Sequence, residues 1–223
     1  MPTLSKTSEI FLNKPNPRFF VPDLSPRDRK ALVGIRPRAI FVAESPHVSE
    51  IEPESIDQRR PLCGVAGRQW WGLLSELLDF EKNEDVSLEH LVQFCQNHRI
   101  VVMNAVQYPL DPKVVKAFAL ADPAKNLGFN KVSGPYSFKR LKKSAPVQEA
   151  LDSLRARLLD PRMENAPIHC LGNDADWFVR QALGDGESAN RISDKIPHPS
   201  AWWRRGGLFG RTAREKLSQI FGN

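Results

Sequence analysis

Three short segments constrain the fold more than anything else in this chain. "AIFVA" (39–43), "IVVMN" (100–104) and "IHCLG" (168–172) are nearly continuous apolar runs. A strand that alternates apolar and polar residues has one wet face; a strand without that alternation is buried on both. Two covered faces point to a parallel sheet, whose crossover connections carry helices over it. A weaker segment, "RISDKI" (191–196), is a fourth candidate strand.

Helical patterns stand between and after these runs. "RQWWGLLSELLDF" carries apolar residues at Trp70, Trp71, Leu74, Leu77 and Leu78. "APVQEALDSLRARLL" follows Ser144, a good N-cap, has Pro146 in its first turn, and bears a stripe of Val147, Leu151, Leu154 and Leu158. "DADWFVRQALG" ends on Gly184, and "TAREKLSQIFG" lies near the end of the sequence. The expected fold is an α/β protein: a three-layer α/β/α sandwich around a central, mostly parallel four-stranded sheet. Residues 1–36 are rich in proline and charge, and read as an arm packed on the body, with the α/β domain over 37–223. Residues 107–143 are poorly periodic and read as loop-rich.

Bulk composition narrows the class. A chain of 223 residues, 41% apolar and 26% charged, can bury a full core. No stretch approaches the run of about eighteen apolar residues that a membrane span needs. With no apolar signal-peptide core near Met1, a cytoplasmic protein is expected, and a monomer. Cys63, Cys95 and Cys170 are widely spaced, which argues against disulfide frameworks and cysteine-rich metal centres. A net charge of +6 is compatible with a polyanionic partner. "SFKRLKK" gathers Lys139, Arg140, Lys142 and Lys143, most simply a solvated loop. "WWRRGG" sets Arg204 and Arg205 beside Trp202 and Trp203, a pairing common at nucleic-acid contacts.

In parallel sheets, ligands bind outside the carboxyl ends of the strands. The first run ends on "ESPH" (44–47) and the second on Asn104. The segment after the last candidate strand begins "PHPSAWWRRG". Between the first run and its helix lies "RRPLCGVAG", a loop with Gly64 and Gly67 that leads to a helix N-terminus. Taken singly, each piece has a structural explanation: Asn104 as a turn residue, His198 as an extended residue before proline, Glu44 as an ion-pair partner. Together they converge on one sheet edge.

That conjunction resembles the uracil-DNA glycosylase superfamily. "AESP" stands for its water-activating motif, "RRPLCGVAG" for its proline–glycine loop, "MNAV" for its base-reading asparagine, and "HPSAWWRRG" for its His-Pro-Ser motif. The order holds over residues 38 to 215. The resemblance implies a metal-free, cofactor-free glycosylase that hydrolyses the bond between uracil, or another deaminated base, and DNA. Glu44, or more weakly Ser45, would handle the attacking water, and His198 would donate to the departing base. Asn104 would read the base edge, with Leu62, Pro46 and His47 around it. Single- or double-stranded DNA would meet Gly64, Gly67, Arg68, Ser200, Trp202, Trp203, Arg204 and Arg205, one of the two tryptophans being core. The departures are Ser45 where the best-known branch has aspartate, Leu62 where the family stacks an aromatic, and no iron–sulfur cysteines. Trp70, Tyr108 and Phe129 are candidates for the missing aromatic. A non-catalytic DNA-binding relative is the alternative, and a serine hydrolase built on Ser45 with His47 or His198 a weaker third.

Overall fold

The central strand of the protein's sheet is the first one in the chain. In the structure, a computed structural model describing residues 17–78, 87–109 and 145–222, β1 (Ala39–Ala43), β2 (Ile100–Asn104) and β3 (Ile168–Cys170) form a parallel sheet ordered β2-β1-β3. Ala39 pairs with Ile100 and Ala43 with Asn104 on one side; Ile40 pairs with Ile168 on the other. Every residue of the three strands is buried, as their unbroken apolar runs require.

Six helices accompany the sheet among the described residues: α1 (Val48–Ile51), α2 (Gly64–Leu77), α3 (Leu88–His98), α4 (Ala145–Leu158), α5 (Asn173–Leu183) and α6 (Leu208–Phe221). Phe41 of β1 meets Trp70 of α2 edge to face at 4.9 Å and lies 6.2 Å from Phe221 of α6. Strand periodicity turns Ile40 and Val42 to the opposite face. α5 packs on β1 and β3, and α4 packs on α5.

Three features differ from the expected elements or add to them. α2 begins at Gly64, so Gly67 lies inside its first turns rather than in a loop before it. α3, capped by the Ser87 hydroxyl accepting from the His90 amide, is not among the helices expected above. "RISDKI" pairs without a continuous ladder: Ile192 and Ile196 each make an isolated parallel bridge, to Ile168 of β3 and to Leu171 just beyond it. The polar residues between them do not continue the ladder, and Asp194 and Lys195 stand exposed. The segment still runs along the sheet edge, with the Ser193 and Ile196 amides donating to Ile168 and Cys170.

The segment at 17–36 does more than lie across the body. Leu24 forms an antiparallel bridge to Val102 of β2, with backbone bonds of 2.8 and 3.1 Å. Beside it Asp23 is fully buried against Arg157 of α4, 2.8 Å away. The Arg157 guanidinium also donates to the Asn104 and Ala105 carbonyls at 2.8 and 2.7 Å. Cys63, Cys95 and Cys170 are all free thiols. Ser144, Phe129, the lysine-rich cluster at 139–143 and most of the loop-rich stretch lie outside the described residues, as does the beginning of the arm. Among the described residues no helix is long and apolar enough to cross a membrane.

Removing one partner of a buried ion pair strands the other, so Arg157→Met should lower the unfolding free energy by about 3–5 kcal/mol. Arg180→Ala, which breaks a half-exposed i,i+4 pair with Asp176, should change it by less than about 1 kcal/mol. Urea denaturation of both variants measures the difference.

Candidate functional site

The strand order creates a crevice. From central β1 the chain passes to β2 on one side and later to β3 on the other, so connections leaving β1 and β3 diverge at their carboxyl ends. A cavity of about 810 Å³ lies there, open to the surface.

Glu44, the first residue after β1, lines it. Its backbone is held because β1–β2 pairing runs on past the strands: the Ala105 and Val106 amides donate to the Ala43 and Glu44 carbonyls at 2.8 and 3.0 Å. Ser45, Pro46 and His47 follow along the wall. Pro46 is buried, Ser45 half-buried and His47 exposed as the extended residue before α1.

His198 enters from the other side. The 192–196 segment delivers it, and Pro199 opens a short 3₁₀ turn over Pro199–Ala201 that His198 caps. The Ser200 amide donates to His198 Nδ1 at 3.2 Å, and the Ser200 hydroxyl lies 2.8 Å from the same nitrogen. With Nδ1 accepting, the neutral ring carries its proton on Nε2. Gly172, at φ +94°, makes room: a Cβ there would sit 3.1 Å from the His198 Cβ. Ser200 thus holds the His198 ring at Nδ1.

Leu62 forms a third wall and is the strained part of the site. Its φ is +56°, a left-handed backbone that branched side chains avoid at a cost of about 1–2 kcal/mol. Three contacts hold it. Its amide donates to Glu50 Oε1 at 3.1 Å, and its carbonyl accepts from Trp71 Nε1 at 3.0 Å. The same carbonyl presses on Gly67, where a Cβ would fall 1.9 Å from the oxygen. Gly67 is therefore a packing residue and does not line the cavity, whereas Gly64 and Arg68 do.

Of the remaining expected residues, Ser200 and Arg204 line the cavity. Trp202 is core, its Nε1 donating to the Pro197 carbonyl at 2.8 Å. Trp203 is 68% exposed, pinned by Nε1 to the Ser200 carbonyl, with the Arg204 guanidinium 5.7 Å from its ring centre. Arg205 points to Phe209 and is not on the lining. Trp70 is fully buried and Tyr108 does not line the cavity, so neither presents an aromatic face to it.

Asn104 departs most from expectation. It is fully buried and absent from the cavity wall. Its Nδ2 donates to Glu50 Oε2 at 2.9 Å, and Glu50 takes the place on the wall. Burial pushes the Glu50 carboxyl up to about 8, against the pull of the Asn104 amide and the Leu62, Cys63 and His47 backbone N–H groups. Glu50 was legible in part: it stands three residues after the residue preceding α1, where a glutamate bonds back to the N-cap amide. Asp174, at the start of α5, also lines the cavity, and its buried Oδ1 has no hydrogen-bond partner among the described residues.

Among the described residues, no group of three His, Cys, Asp or Glu side chains is placed to hold a metal ion. Neither family models nor characterised proteins give a match to this chain.

The raised Glu50 carboxyl has a thermodynamic consequence. The folded protein holds a proton there that the unfolded chain releases near the ordinary carboxylate value of about 4.3, so folding is favoured at low pH. Stability should fall as pH rises from that value to about 8 and level off above. Asp23, which burial raises to about 6, contributes to the lower part of the same window. Melting temperatures of wild type and Glu50→Gln should converge at low pH, and the variant should be the more stable by pH 8. Parallel pH profiles would show that Glu50 does not hold the proton.

Proposed function

We propose that the cavity receives a base turned out of DNA and that the chain hydrolyses the bond joining that base to its sugar. The observation that carries this reading is the pairing of Glu44 and His198 on one cavity at the strand ends, with Ser200 holding His198 as an Nε2–H donor. Base turning costs a few kcal/mol, which contacts inside the pocket must offset.

In the reaction a water oxygen bonds to the sugar C1′ as the C1′–N bond breaks. Glu44 orients that water, takes its proton and faces the cationic sugar. His198 Nε2–H donates to a base carbonyl oxygen as negative charge gathers there. The departing base anion then receives the proton that Glu44 took. Ser45 is a second hydroxyl beside the water's place. No step in this scheme calls on a metal or cofactor.

Trp203 and Arg204 suit the DNA around the turned-out base. The exposed indole can stack where the base was, and the guanidinium can meet a flanking phosphate. Arg68 and the amides at the start of α2 suit another phosphate. Deaminated bases, uracil foremost, are the proposed substrates, and a cytoplasmic monomer the proposed form. The finer fold that goes with this reading is a three-layer sandwich in which residues 191–196 act as a fourth strand of the sheet.

The test is a set of oligonucleotides carrying uracil, hypoxanthine, xanthine or mismatched thymine, scored for strand breaks after alkali. At least one should be cut. Glu44→Gln should reduce cutting by about 10²–10⁴-fold with DNA binding intact, and His198→Ala by about 10²–10³-fold. Trp203→Ala should weaken binding instead. Binding without any alkali-labile site, across the whole set, would leave a DNA-binding protein in place of an enzyme.

A further inference from the structure

Glu50 is a wall residue that the scheme above leaves without a task. It is 5% exposed, yet it belongs to the cavity lining and ties two other features of the site together. One carboxyl oxygen accepts from the Leu62 amide and the other from Asn104 Nδ2. Those partners come from separate parts of the chain, the turn before α2 and the end of β2. Without the carboxyl, the Leu62 amide and the Asn104 Nδ2 would both lose their acceptor in a buried place. Leu62 would also lose one of the contacts that keep its backbone at φ +56°.

We infer that Glu50 is a positioning residue of this site: its carboxyl bridges Leu62 to Asn104 and thereby sets the wall against which a base is held. The inference rests on the base-cavity reading and adds to it. It gives Asn104 a different place from the one its motif suggests, behind the wall rather than on it. The side-chain amide has its Nδ2 committed to Glu50, and its Oδ1 is buried with no hydrogen-bond partner among the described residues. That leaves the bridge a simple substitute. In Glu50→Gln, the new carbonyl oxygen can accept from Leu62, and the new NH₂ can donate to Asn104 Oδ1 once the Asn104 amide turns over. Alanine can do neither.

The experiment compares the full chain as wild type, Glu50→Gln and Glu50→Ala, below their melting temperatures. Two quantities are read: hydrogen exchange of the Leu62 amide, and KM and kcat on whichever oligonucleotide the wild type cuts. Loss of a buried hydrogen bond predicts that Glu50→Ala speeds Leu62 exchange and raises KM, each by about tenfold, with kcat within about threefold. Glu50→Gln should stay within about threefold of wild type in all three. Unchanged Leu62 exchange in a folded Glu50→Ala protein overturns the inference. So does a Glu50→Gln protein that behaves like the alanine variant, and so does faster exchange with KM unmoved, which would make Glu50 merely structural. Should the wild type cut none of the oligonucleotides, the glycosylase reading fails by itself. Exchange at Leu62 then decides whether the bridge exists, and unchanged exchange overturns it.

Discussion

The Arg157 guanidinium is the contact on which the arrangement of this molecule depends. Buried in α4, it reaches Asp23 from the N-terminal segment and two consecutive carbonyls, Asn104 and Ala105, where β2 ends. A strand that ends in a protein interior leaves carbonyls that water cannot reach. Here a permanently charged side chain with five donors satisfies two of them and is neutralised by an acid from a third element. Burial holds the Asp23 carboxyl up at about 6, against the pull of Arg157. An ion pair of this kind adds little net stability over apolar packing, but losing one half is severe. It therefore acts as a latch that makes α4, the segment around Leu24 and the end of β2 mutually dependent.

From the end of β2 the dependence passes to the cavity. Asn104 is held by its backbone at the latch and by its side chain at Glu50. Glu50 in turn holds Leu62, whose carbonyl is gripped by Trp71 and packed on Gly67. Each link is short and buried, so a change in the core at Arg157 bears on a wall of the cavity through named hydrogen bonds. The opposite wall is built differently. His198 arrives on a sheet-edge segment and is oriented by a proline turn and the Ser200 amide. On the first wall, Leu62 keeps a left-handed backbone that several contacts over-determine.

Much of this was readable beforehand because burial leaves a strong mark on composition. β1, β2 and β3 stand where the apolar runs stand, and α4, α5 and α6 where the stripes stand, with ends moved by a few residues. α3 escaped because its apolar residues, Leu91, Phe94 and Cys95, form a short stripe among polar ones, and its strongest sign is the single cap Ser87. The segment at 191–196 meets the sheet only at its two isoleucines, because the exposed Asp194 and Lys195 stand between them. At the site, Glu44, Ser45 and His198 share a cavity because each sits at or beyond the end of a sheet segment, a place that topology alone predicts. Glu50, to which no sequence motif gave a role, lines the cavity in front of Asn104, since which of two neighbouring polar groups reaches it depends on packing that leaves no periodic trace.

By itself, the sequence determined the parallel sheet, the covering helices and the edge at which polar residues gather, since apolar runs and helical stripes express how much surface each segment must bury. Tertiary structure alone decided that Trp202 is core and Trp203 is exposed, that Gly67 serves packing rather than the cavity, and that Glu50 stands in front of Asn104. These outcomes turn on which atoms meet once distant segments are brought together. Burial free energy scales with area and is written locally along the chain; a hydrogen bond between residues 50 and 104 is directional and exists only when the fold supplies both ends.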